Sequence, residues 1–194
     1  MADDLIEVTL AVAAVLDRCA IPYTVGGSLA SSLSGEPRAS LDADVVVQIR
    51  PDQIDHLVNG LGDVFYADCD AIRRAIDNGG STNLVHRPSG IKVDLFPAVS
   101  FLDHQQLLRR QLVKVAADPD RCLYVHSPED ILLQKLHWFR LGGGTSERQW
   151  RDVVAIVLVQ GSRLDRDYLS RVAERIGVTQ LLQRAYRSVN GVED

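Results

Sequence analysis

The chain has 194 residues, 46% of them apolar and 24% charged, with a formal net charge of -5. That length suits one well-packed domain with an appended helical part, and the balance matches a soluble globular protein. It excludes a disordered chain, a membrane span needing about 20 consecutive apolar residues, and nucleic-acid binding through an overall basic surface, leaving only a local basic patch open.

The opening stretch "MADDLIEVTLAVAAVLDRC" carries apolar residues at helical spacing, which predicts an amphipathic helix over residues 3 to 20. Its acids stand where a signal peptide needs basic residues, so the expected location is cytoplasmic, without export and without a membrane partner. Cys19, Cys69 and Cys122 are odd in number and far apart, which fits a reducing compartment, argues against a disulfide or zinc framework, and suggests small buried hydrophobes.

"IPYTV" then reads as a short strand leading into Gly26 and Gly27, and residues 28 to 34 as a short helix capped by Ser28. After a loop over residues 35 to 40, "LDADVVVQI" is a strand interrupted only by Asp42 and Asp44. "PDQIDHLVNGLG" starts with Pro and ends at Gly, as a helix does, and a second helix is expected near residues 68 to 77. "STNLVHRPSGIKVDLFPA" predicts two strands joined at "RPSG", the second with Asp94 between Val93 and Leu95, and "LVKVAA" and "CLYVH" suggest further strands.

From Ser127 the pattern changes. "SPEDILLQKLHWFRL" has a Ser cap, Pro at the first helical position and two acids in the first turn, and the last third is all helix, in about four segments. The predicted class is α+β: a mixed α/β core over residues 1 to 126 and a helical region over 127 to 194.

Alternate strand residues share a face, so Asp42 and Asp44 project together, with bases about 6 to 7 Å apart. A partner side chain, a proton or a metal must compensate two such carboxylates. A divalent cation is the simplest device, and oxygen-only ligands point to Mg²⁺ or Mn²⁺ rather than zinc. Asp94 offers a third carboxylate from another strand, as a two-metal site requires. Gly26 and Gly27 leave the backbone open to close approach, and the helix N-terminus beyond them favours phosphate. Taken together, turn and acids describe transfer from a metal-bound triphosphate. Lys135 either snorkels outward or reaches into a cleft, Asp152 beside Arg151 also fits a helix-surface ion pair, and Arg38 is either a phosphate ligand or a loop charge. His126 and His137 read as partly buried helix-end residues, and Gly142 to Gly144 as a helix link. Arg109, Arg110, Lys114, Arg140, Arg148 and Arg151 supply either a basic surface for RNA or solvated helix faces.

Gly-Gly-Ser, the interval 29 to 41, Asp-x-Asp and then an apolar-flanked Asp resemble the nucleotidyltransferase fold of the DNA polymerase β superfamily over roughly residues 20 to 97. The resemblance implies a mixed β-sheet core flanked by helices, with Gly27 and Ser28 on the triphosphate and Asp42 and Asp44 on metal. Asp94 would then join in metal binding or activate the attacking hydroxyl. "GEPRASLDADVVV", "PEDILLQKLHWFR" and "RQWRDVVAIV" are further similar to motifs of the AbiEii-like and MenT-type toxins. That likeness implies that Lys135 contacts the nucleotide phosphates, that Asp152 lies across the same cleft, and that Ser40 stands where phosphorylation blocks some members. Ala43 departs from the family by its small size, and Gln134 stands where Glu is usual. The implied activity is transfer of a nucleoside monophosphate from an NTP to the 3′ end of tRNA by a toxin with a cognate antitoxin. The same core elsewhere acts on small molecules or protein side chains, and a non-catalytic binding module of the same fold is the remaining alternative.

Overall fold

The computed structural model describes residues 5–34, 42–117 and 120–191. Its contacts divide them into two units, the first built from residues 5–29 and 42–126, the second from 30–34 and 127–191.

In the first unit the helical spacing of the opening stretch produces α1 (Leu5–Arg18), which buries Val8, Val12, Val15 and Leu16. A turn with Ala20 at a φ of 51° ends it. The Gln53 amide donates to the Cys19 and Ala20 carbonyls at 3.1 and 3.3 Å, stabilising a backbone conformation that alanine rarely adopts. The chain continues into β1 (Tyr23–Val25), α2 (Gly27–Ser34), β2 (Asp42–Val47), α3 (Ile54–Leu61), β3 (Phe65–Tyr66) and α4 (Cys69–Asn78). Then come β4 (Thr82–His86), β5 (Lys92–Pro97), α5 (Phe101–Leu108), β6 (Gln111–Ala117) and β7 (Asp120–Val125). Asp68 caps α4 through the Asp70 and Ala71 amides, and Ser100 and Asp103 form a capping box on α5, a helix not expected from the sequence. α2 starts at Gly27, so Ser28 sits in its first turn and not at its cap.

The seven strands form one mixed sheet in the order β3-β4-β5-β2-β1-β7-β6. β1 is antiparallel to β2 and parallel to β7, while β2 runs parallel to β5. The C-terminal ends of β1 and β7 therefore meet the N-terminal ends of β2 and β5 at one end of the sheet. Val45, Val47, Val93 and Leu95 are at most 1% exposed, so the middle of the central strands is the apolar core.

The second unit contains the C-terminal helices α6 (Pro128–Leu141), α7 (Glu147–Gln160), α8 (Arg166–Arg175) and α9 (Thr179–Asn190). Ser127, Ser146 and Asp165 cap the first three. α6 is buried nearly all round, through Ile131, Leu132, Leu133 and Leu136. Its opening acids do more than favour a helix start. Buried Asp130 accepts from the Tyr168 hydroxyl at 2.5 Å and the Ser127 hydroxyl at 2.7 Å, and Glu129 accepts from the Asp165 amide at 2.9 Å. Buried carboxylates need such donors, and these tie the start of α6 to α8. Gly142 to Gly144 link α6 to α7, with Gly143 and Gly144 at φ of 75° and 74°.

Two expectations change. The cysteines are free, but Cys19 and Cys69, at the end of α1 and the start of α4, are half-buried, and Cys122, within β7, is exposed. Among the described residues no helix is long and apolar enough to cross a membrane. His126, next to the Ser127 cap of α6, is fully and not partly buried. It directly follows β7, its amide donating to the Val25 carbonyl at 2.9 Å, and its ring is 1% exposed against Gly26, where a Cβ would lie 2.6 Å from Cε1. Neither ring nitrogen has a hydrogen-bond partner among the described residues, and burial pushes the imidazole down to about 3 from 6.5.

That depressed value fixes the sign of a pH effect. The folded protein keeps His126 neutral while the unfolded chain takes up a proton below pH 6.5, so this stability is fully present above the unfolded pKa and is lost as pH falls towards about 3. Lowering the pH from about 7 to about 5 should remove about 2 kcal/mol through this residue. Denaturant unfolding at both pH values checks it, and His126→Leu should flatten the difference.

Candidate functional site

The three aspartates of the first unit come together through strand register. β2 pairs with β5 so that Asp44 lies opposite Asp94 and Asp42 opposite Lys92. Register partners on neighbouring strands share a face, and Asp42 shares it with Asp44 by alternation. Thus Asp42, Asp44 and Asp94 stand on one face at the end of the sheet where β2 and β5 begin. Because they lie at these strand starts, Asp42 is exposed and Asp44 and Asp94 are only half-buried, whereas an acid within an apolar strand would be expected to be buried. The desolvation cost that made them conspicuous in the sequence is correspondingly smaller.

Asn83 extends the row. It pairs in register with Asp94 across the antiparallel β4–β5 ladder, and its side-chain amide donates to Asp94 Oδ1. That contact fixes one carboxylate oxygen and its orientation. Nothing in "STNLVH" marked Asn83, since it was indistinguishable from any polar residue on the solvent face of a strand. Only pairing with the Asp94 strand gives it a place.

The glycine pair acquires reasons internal to the protein. The Gly26 amide donates to the Asp44 carbonyl at 2.8 Å, and Gly26 has no Cβ because the His126 ring lies there. Gly27 adopts a φ of 58°, and a Cβ on it would overlap the Asp44 carboxylate. The start of α2 and the Asp44 side chain are thus in direct apposition. This brings the turn and the metal-type acids together from three separate strands.

The donor set suits a hard divalent cation. Mg²⁺ commonly takes one or two carboxylates and completes its shell with water and substrate phosphate, so a protein cage of three is not required. Among the described residues no three histidine, cysteine or acidic side chains form such a cage. Asp42 and Asp44 are the residues that would hold the cation, with Asp94 beside them and the side-chain space at Gly27 left free for the Asp44 carboxylate.

The second unit joins two more sequence-derived candidates. Lys135 on α6 donates to Asp152 Oδ2 on α7 at 2.8 Å, with side chains 8% and 14% exposed. Lys135 therefore does not snorkel outward, and Asp152 pairs with a lysine of another helix. Such a pair contributes little net stability, since desolvation offsets attraction, but it holds both groups in a defined geometry. Arg38 and Ser40 lie outside the described residues. Of the basic candidates, Arg109, Arg110 and Lys114 belong to the first unit, where Arg110 lies 4.5 Å over the Tyr124 ring. Arg140, Arg148 and Arg151 belong to the second.

No protein-family model matches the chain, and no curated protein matches it. Solved structures do. The antibiotic-resistance factor ANT(2″)-Ia is 17% identical with a TM-score of 0.50, the match covering 98% of this chain and 96% of that one. An antigenic nucleotidyltransferase-like protein from Paracoccidioides brasiliensis is 19% identical with a TM-score of 0.52, covering 94% of each chain. At such identities the likeness is one of architecture, and the seven-stranded mixed sheet with its flanking helices has the nucleotidyltransferase fold.

Proposed function

We propose that the chain is a metal-dependent nucleotidyltransferase, moving a nucleoside monophosphate from an NTP to an acceptor hydroxyl with release of pyrophosphate. The observation that carries this reading is the register of Asp44 with Asp94 on adjacent parallel strands, with Asp42 on the same face. The fold shared with ANT(2″)-Ia and the nucleotidyltransferase-like protein supports it.

In this reading Asp42 and Asp44 hold Mg²⁺ or Mn²⁺, with Asp94 contributing to the same site. The chemistry such a cation would supply there is charge neutralisation of the triphosphate. Gly27 and Ser28 open α2 beside the phosphate, and Gly26, whose amide is bonded to the Asp44 carbonyl, contributes by having no side chain in the way. Asp94 accepts the proton of the attacking hydroxyl, and Asn83 keeps one of its oxygens occupied so that the other is free for that task. The acceptor oxygen bonds to the α-phosphorus as the bond to the β-phosphate oxygen breaks. By the motif resemblance Lys135, paired with Asp152, is the residue assigned to nucleotide phosphate.

For the acceptor, the motif resemblance favours the 3′ end of tRNA and hence a toxin governed by an antitoxin. The antibiotic-resistance role of ANT(2″)-Ia favours instead a small-molecule hydroxyl. Incubating the protein with each labelled NTP, Mg²⁺ and either total RNA or candidate small molecules distinguishes them by where label appears. Transfer should fall by about 10²- to 10⁴-fold in Asp94→Asn and at least as far in Asp42→Ala. Label that enters no RNA, small molecule or protein, under any NTP, rejects the enzyme.

Gly27→Ala should also abolish transfer, because the added methyl displaces the Asp44 carboxylate, with far-UV circular dichroism unchanged. Lys135→Ala should weaken nucleotide binding by about 10- to 100-fold, the scale of one charge-assisted hydrogen bond. Calorimetric titration with a non-hydrolysable NTP checks it, and an unchanged affinity removes Lys135 from the phosphate site.

A further inference from the structure

The second unit holds a cavity of about 790 Å³ unrelated to the acids. Arg140 from α6, Arg184 and Arg187 from α9, the α6–α7 glycine link and residues 179 to 181 line it, and no carboxylate does among the described residues. Such a volume is that of a ligand site. An adjoining cavity of about 380 Å³ shares Phe139, Gly144 and Arg184 with it and adds Arg151 and one acid, Glu147.

Two of the arginines have neutral neighbours rather than acids. Arg184 lies 4.1 Å over the Trp150 ring, and Trp150 in turn packs on Phe139 with centroids 5.3 Å apart. Arg140 is seated over Gly177, where a Cβ would come within 2.8 Å of its Nη1. Among the described residues none of Arg140, Arg184 and Arg187 forms an ion pair, although acids outnumber bases in the chain, 26 to 21. Arg184 stacked on Trp150, with Arg140 and Arg187 lining the same hollow, presents charge and donors to something else. Arg184 and Arg187 are three residues apart on α9, so their Cβ atoms are about 5 to 6 Å apart, which suits successive phosphates of a chain. The first turn of α9 adds to the field. Val178 gives it no side-chain cap, and Leu182 is the first residue to bond back, at 3.0 Å to the Val178 carbonyl.

We propose that this cavity binds a ligand presenting two or more phosphates in a row, contributed by a nucleic-acid strand or by a small polyphosphate. Guanidinium forks and helix amides share that chemistry as their natural counterpart. It does not rest on the transfer reaction, since none of the cavity's residues belongs to the acid row or the Lys135 pair.

Two probes distinguish the sources, both with the full chain in EDTA to silence metal-dependent binding. A fluorescein-labelled single-stranded RNA of about 12 nucleotides is followed by anisotropy, and tripolyphosphate by calorimetry. The proposal expects at least one to bind. Arg184→Gln/Arg187→Gln should weaken it by about tenfold or more, and should reduce the salt dependence of RNA binding by about two phosphates' worth. Arg187→Gln alone, which leaves the Arg184–Trp150 contact intact, should produce a smaller loss in the same direction. Asp42→Ala should bind both probes as the parent does. Loss of RNA binding alone identifies a nucleic-acid strand, and loss of tripolyphosphate binding alone a small polyphosphate. The proposal is overturned if neither probe binds, or if both bind the arginine variants as tightly as the parent.

Discussion

The candidate site depends on the antiparallel pairing of β1 with β2. Because those strands run in opposite directions, the turn that ends β1 arrives where β2 begins, and Gly26 bonds to the Asp44 main chain. β5, parallel to β2, then delivers Asp94 to the same level, and β7, parallel to β1, delivers His126 beneath Gly26. A register slip of one residue would turn Asp44 to the opposite face, into positions now held by Ala43 and Val45, both at most 1% exposed. The apolar residues around the acids therefore do two things at once. They bury the core and they set the register that aligns the carboxylates.

Much of this was legible beforehand because it depends on local rules. Helical spacing and caps placed α1 and the four C-terminal helices, and alternation put Asp42 and Asp44 on one face. The acids stood out as exceptions within apolar runs, and that contrast led to the site. What was not legible depends on partners distant in the chain. Asn83 has meaning only through its register with Asp94, and His126 only because it meets Gly26, a hundred positions away. β3, with two residues, is too short to carry a pattern, and the polar, partly exposed α5 offers little apolar contrast. The exposure of Asp42 was hidden for a related reason. A strand's apolar run does not announce where along the sheet it emerges into solvent.

The two units use charge differently. In the first, like charges gather on a sheet end and invite an external cation. In the second, the buried Lys135 is matched with Asp152 and the buried Asp130 with two hydroxyls, while three exposed guanidiniums gather around a hollow. A chain acidic overall thus presents local fields of both signs, and its net charge describes neither.

The apposition of Gly27 and Asp44 has a consequence for how such a chain evolves. Two constraints act on Gly27: a positive φ, which Asn or Asp tolerates at modest cost, and the neighbouring carboxylate, which tolerates no side chain at all. Only the first survives if Asp44 is replaced by a small residue. The two positions are therefore epistatic: a side chain at position 27 and the carboxylate at position 44 exclude each other in these places. As long as the acid works in its present place the glycine is held by it, and once the acid is gone only the positive φ constrains position 27, which asparagine then satisfies at modest cost.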